Sequence, residues 1–173
     1  MLIRTTLAAL LMGALGLVLP VHAAEKLTDP QIAHIAYTAG DLDVQAARQA
    51  LDKTRNPDVR EFAQTMERDH LAVNQQALAL LKELGVTAQD NPTSQALAKE
   101  AADHRAALGK LDGAAFDKAY VQNEVAYHKQ VNAALESTLI PGAHNPKLKS
   151  LLETGLKLFQ GHQQHAEHLA GKL

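Results

Sequence analysis

The sequence predicts an all-α fold, a four-helix bundle with a shorter fifth helix. Three observations carry that reading. Apolar residues recur at helical spacing over long stretches. Beyond Pro20, prolines stand only at 30, 57, 92, 141 and 146, and none interrupts such a stretch. No segment shows period-two alternation with β-branched enrichment, the mark of a strand.

The elements follow in order. Thr28-Asp29-Pro30-Gln31 opens the first helix with a capping Thr, an early Pro and a Gln three residues on. Asn56-Pro57-Asp58 opens the second, with Asn as cap and Pro in the first turn. Asn91-Pro92-Thr93-Ser94 opens the third, Asp112-Gly113 precedes the fourth, and Asn145-Pro146 opens the fifth. The expected helices cover roughly 29–54, 57–84, 93–110, 113–139 and 146–171. Four are long, roughly 40 Å at 1.5 Å per residue. The first two are joined almost directly and must form an antiparallel hairpin, as must the last two across a Pro-Gly turn. The short third helix is then a crossover between hairpins. Two helix pairs with a long connection make the ferritin-like arrangement, and a simple up-down bundle is the alternative.

Residues 1–23 read as a cleavable export signal. Arg4 supplies the positive start, Leu7 to Leu19 is an apolar or Gly run, and Val21-His22-Ala23 fits a small-x-small cleavage site. The expected mature chain, 24–173, is one domain with no transmembrane segment, because the apolar run is too short to span comfortably. With no cysteine in 173 residues, an exported chain points to a bacterial periplasm. The absence of cysteine also excludes a disulfide framework and thiolate-ligated metal. A net charge of -2 gives no basic field for nucleic acid. Three Phe, three Tyr and no Trp leave few platforms for base stacking. No Gly-x-Ser-x-Gly elbow is present, so a nucleophilic hydrolase finds no support.

Nine His against six aromatics is the compositional oddity. Placing residues at 100° intervals separates inward from outward positions. Asp43 lies among Ala36, Ala39, Ala46 and Ala50 on the first helix. His70 lies within the Val59, Phe62, Met66, Val73, Ala77, Leu80 and Leu84 stripe of the second, with Asp69 at one edge and Glu67 further out on the other. Glu124 sits among Phe116, Tyr120, Tyr127 and Val131 on the fourth helix, with His128 at the stripe edge. His162 sits among Leu148, Leu152, Phe159 and Ala166 on the fifth. All four inward groups stand near mid-helix, so antiparallel packing brings them to one layer. Carboxylates and imidazoles converging in a bundle centre suit a divalent metal such as iron, manganese or zinc. The candidate ligands are Asp43, Glu67, Asp69, His70, Glu124, His128 and His162. The same groups can instead hydrogen-bond one another and fix helix register without a metal. Of the other histidines, His34, His144 and His168 are expected in solvent, His104 in the core or an interface, and His165 at a seam edge.

Several of these segments form a recognisable set. Met66-Glu67-Arg68-Asp69-His70 after Phe62-Ala63, the run from Leu111-Asp112-Gly113 to Phe116-Asp117 and Tyr120, then Glu124, His128 and His162, resemble an exported bacterial family of unknown function. Its members are grouped with ferritin-like folds and often labelled "putative outer membrane protein" or "putative membrane protein". The resemblance runs from about Asp29 to Leu169 and implies a ferritin-like bundle in the periplasm or envelope. The residues carry no β segments of a barrel to match the outer-membrane label. The ferritin-like metal pattern needs a second Glu-x-x-His, but Phe159 stands three residues before His162. A mononuclear or histidine-rich site therefore fits better than a full di-iron oxidase. The alternative is a non-catalytic envelope protein for stress or interaction, with a metal-free polar core.

Overall fold

The computed structural model describes residues 26–173, so the expected export signal at 1–23 lies outside the described residues. Among the described residues there are five main helices: α1 (Asp29–Lys53), α2 (Pro57–Glu83), α3 (Pro92–Leu108), α4 (Gly113–Ala134) and α5 (Pro146–Ala170). A π-helical turn, Leu135–Leu139, and a last α turn, Ile140–Gly142, extend α4. No strand occurs among the described residues. None of their helices is long and apolar enough to cross a membrane.

The caps work as their residue types dictate. Asn56, Asn91 and Asn145 each accept hydrogen bonds from backbone N–H groups of the first turn that follows. Gln31 Oε1 accepts from the Thr28 N–H at 2.9 Å. The π turn was not expected. Pro141 lacks an N–H, and its ring crowds the carbonyl four residues earlier. The turn widens ahead of it, and the Ile140 N–H bonds to Leu135 O, one residue further back than in an α-helix.

The α1–α2 and α4–α5 hairpins pack side by side, and α3 lies across α1 between them. This is the four-helix bundle with a shorter crossover helix that the sequence predicts. The crossover is pinned at both ends. His34 Nδ1 lies 2.9 Å from Ser94 Oγ at its start. Gln49 Nε2 donates to Arg105 O at 2.9 Å near its end. His34 is thus a partly buried tie rather than a solvated residue. His104 is the converse: its side chain is 56% exposed, beside Glu100. On α2 the buried stripe drifts, so that Leu81 is inside while Leu84 is exposed.

Two apolar clusters make up the core. One gathers Phe62, Met66, Phe116, Tyr120, Val121 and Leu169. The other gathers Ile32, Ile35, Leu135, Leu148, Leu152 and Phe159. Each large buried side chain stabilises the fold by about 1.5–3 kcal/mol. Asp43, His70, Glu124, His128 and His162 fall between the two clusters, so a polar layer divides the core at mid-bundle, while buried Asp117 lies beside Phe116 within the first cluster.

Candidate metal centre

The layer holds five side chains from four helices. Asp43 from α1, His70 from α2, Glu124 and His128 from α4 and His162 from α5 are all at most 5% exposed. His70 Nε2 lies 3.4 Å from Asp43 Oδ2. His128 Nε2 lies 3.6 Å from the same oxygen. The three imidazole rings sit 5.3–5.6 Å apart, centroid to centroid. Phe159 stacks on His70 at 4.6 Å and fixes its ring plane.

Two overlapping triads offer ligand atoms to a common point. His70, His128 and His162 form one; Asp43, Glu124 and His128 form the other. Within each, one ligand atom per residue lies within 4.8 Å of the others. Ligands on opposite sides of one transition-metal ion stand about 4 Å apart, so a small side-chain adjustment closes either triad on an ion.

The hydrogen bonds set which nitrogen faces the centre. His128 Nδ1 is 3.0 Å from Glu124 O, a carbonyl that can only accept. Its proton is therefore on Nδ1, and Nε2 turns its lone pair toward Asp43. His162 Nε2 is 3.0 Å from Asp69 Oδ2, so its proton is on Nε2 and the buried Nδ1 faces inward with a lone pair. Metal-binding histidines are held in this way, with the second ring N–H donated to a carbonyl or carboxylate. Both Asp43 oxygens, both Glu124 oxygens and both His70 nitrogens are buried with no donor–acceptor partner among the described residues.

Electrostatics follow from the burial. Burial pushes His70, His128 and His162 down from 6.5 to about 4, so all three are neutral near pH 7 and able to ligate. Burial and the neighbouring Asp43 carboxylate push Glu124 well above the usual carboxyl range. Burial raises Asp43 too, against the pull of His128. Without a cation, the two carboxyl groups therefore hold a proton in the layer. Burial also works to raise Asp69, but hydrogen bonds from Arg68 and His162 outweigh it and hold that carboxylate below its usual range.

The seven sequence candidates divide clearly. Asp43, His70, Glu124 and His162 come together. His128, expected at the stripe edge, stands at the centre and belongs to both triads. Asp69 stands behind His162 rather than facing the layer. Glu67 does not join: it turns outward and accepts from Arg48 Nε at 2.7 Å on the surface. Asn74 lies buried one turn beyond His70, a polar position the wheel did not mark. Tyr120 is fully buried one turn before Glu124, its hydroxyl without a partner. Tyr127 donates its hydroxyl to Ala39 O at 2.7 Å.

A cavity of about 190 Å³ between α1, α3 and α4 reaches Asp43 and Glu124, with Glu100, His104 and Arg105 on the α3 side. It supplies an approach to the carboxylate half of the layer.

The backbone is similar to a crystal structure described as "putative secreted protein DUF305" from Streptomyces coelicolor. The TM-score is 0.71 at 12% identity, over 84% of this chain and 93% of that one. That likeness concerns the fold. No curated protein matches. The model of a family described as "Domain of unknown function (DUF4142)" matches residues 18–169.

Proposed function

This chain belongs to the DUF4142 family, and from that premise we propose that it is an exported, periplasmic helical bundle that binds a divalent transition metal at mid-bundle. The ligands are Asp43, His70, Glu124, His128 and His162, with Asp69 orienting His162. The observation that carries the reading is the pair of oriented histidines: His128 and His162 have each donated one N–H away from the layer and turn the other nitrogen into it. Neutral imidazoles with carboxylates suit iron, manganese or zinc. Export is supported by the signal-like residues 1–23 and by the description of the structural neighbour as secreted.

Purely structural burial of five such groups is costly, since lone buried charges cost several kcal/mol each. A metal-free network would stabilise the layer by pairing its atoms; a proton shared between Asp43 and Glu124 pairs the carboxyl groups, yet both His70 nitrogens and one nitrogen each of His128 and His162 stay without a partner among the described residues. Bound metal turns that cost into affinity, because ligands preplaced in the fold need no ordering on binding.

Metal analysis of the untagged protein tests this. One or more equivalents of iron, manganese or zinc are expected, lost in His70→Ala with His162→Ala. A metal-free protein whose thermal midpoint does not rise with any of the three ions overturns it.

A further inference from the structure

A second cavity, about 260 Å³, lies on the other side of the layer. Its inner end is formed by His70, His128 and Phe159. The rest is lined mainly by Ala, Val, Ile and Leu side chains from all five helices and the π turn. Among its 25 lining residues there is no Asp, Glu, Lys or Arg. Exposed Thr93, Gln130 and Thr138 stand on its rim, so it opens between α3 and the end of α4.

We propose that this cavity binds a neutral, mainly hydrocarbon molecule about the size of a bicyclic aromatic. The size follows from volume: a cavity of about 150 Å³ with Leu, Ile and Phe walls takes up benzene, and this one is larger. The chemistry follows from the walls. An ion would lose its hydration with no countercharge to replace it. Water needs two to four polar partners; the free nitrogens of His70 and His128 stand together at the inner end, Asn74 is the other buried polar side chain of the wall, and the Tyr127 hydroxyl is committed to Ala39 O, so the aliphatic remainder offers water none. The π turn contributes Leu135, Thr138 and Leu139 to the wall, and π turns within α-helices gather at functional sites. Because the inner end is made by two of the proposed metal ligands, the bound molecule lies beside that centre. In this respect the inference deepens the metal reading by naming the class of molecule presented to it. Occupancy of the cavity itself does not require the metal.

The test uses chain expressed from the full gene, purified as the cell processes it and stripped with chelator. N-phenyl-1-naphthylamine, a neutral fluorescent probe, is titrated in. Saturable one-to-one binding is expected, displaced by naphthalene and at least tenfold less well by 1-naphthoate. Ala134→Phe and Ala36→Phe, which fill the cavity from α4 and from α1, are expected to weaken binding at least tenfold. Far-ultraviolet circular dichroism and the thermal midpoint identify which filled variants are folded. If neither is folded, Leu152→Phe takes their place. Probe binding that fails to saturate, that persists unchanged in a folded filled variant, or that naphthoate displaces as well as naphthalene overturns the inference. Metal content is measured on separate, unstripped samples, so failure of the metal reading leaves the probe result intact and the reverse also holds.

Discussion

His162 Nε2 donates to the Asp69 carboxylate at 3.0 Å, and the partner it thereby leaves unsatisfied is its own buried Nδ1. The bond joins α5 to the edge of α2 and fixes both the ring plane and the tautomer. Arg68, next in the chain, holds the other Asp69 oxygen at 2.7 Å. The arrangement orients an imidazole that forms a triad with His70 and His128.

Removing that support has a measurable cost. Asp69→Ala leaves His162 buried, with its ring free to turn and its tautomer unset. Loss of such an outer partner typically lowers metal affinity about 10- to 100-fold. The expected outcome is that drop in a competition titration against a chelator, with unchanged helicity. An affinity equal to wild type would show that Asp69 serves packing alone.

Glu124 separates binding from stability. In the metal-free protein its carboxyl is pushed well up by burial and by Asp43, so holding it in the fold grows costlier as pH rises. Glu124→Gln keeps the shape and removes the ionisation. The metal-free variant is expected to be more stable than wild type at pH 8, and the difference to shrink as pH falls. Its stabilisation by added metal is expected to shrink strongly. A variant both less stable and equally metal-responsive would contradict this placement.

Much of this layer was legible in the sequence, for a simple reason. Proline and its caps fixed the helix starts, so depth along each helix could be counted, and Asp43, His70, Glu124 and His162 came out at one level. His128 was misplaced to an edge because a wheel centred on the large apolar residues assumes one narrow inward stripe. In the bundle α4 faces both α1 and α5, and the wider inward arc takes in His128. Glu67 and Asp69 both precede His70, by three residues and by one, and fall on opposite sides of it around the helix. What separates them is across the helix: Arg48 on α1 draws Glu67 outward, and His162 on α5 takes Asp69. His34 and His104 exchanged expected roles because α3 is weakly amphipathic. It buries only Ser94 and Leu108, so its facing is set by contacts that no local pattern encodes.

The pH dependence of the metal-free fold has a definite sign. His70, His128 and His162 are each pushed from 6.5 to about 4. Between those values the unfolded chain binds more protons than the fold, so stability rises with pH, then levels above 6.5. Asp43 and Glu124 are raised, so the fold holds their protons longer, and their contribution declines as pH climbs toward their folded values. Three rising contributions outweigh two declining ones below 6.5; above it, the rising ones have levelled and only declining ones remain. Urea unfolding in chelator is therefore expected to show a stability maximum near pH 6.5. A curve that stays level from pH 6.5 to pH 8 would mean that Glu124 is already charged in the native layer.

Gly40 on α1 tests how the two hairpin helices approach beside the layer. A Cβ at Gly40 would stand 2.3 Å from Asn74 Oδ1 and 3.0 Å from its Cγ. Asn74 is only 6% exposed and its side chain lines the second cavity, so a Cβ here must drive it from its packed place into that space. On propensity alone, Ala in place of Gly in a helix interior gains about 1 kcal/mol. Overpacking costs about 1–3 kcal/mol and should prevail here, leaving Gly40→Ala net destabilised. Asn74→Ala removes the obstructing group. In the double variant the Ala at position 40 should regain its propensity benefit, whatever Asn74→Ala costs by itself. The cycle is then expected to give a coupling above about 1 kcal/mol by urea unfolding. A stabilised Gly40→Ala single variant, or additive effects, would mean that Asn74 does not occupy the space the missing Cβ leaves.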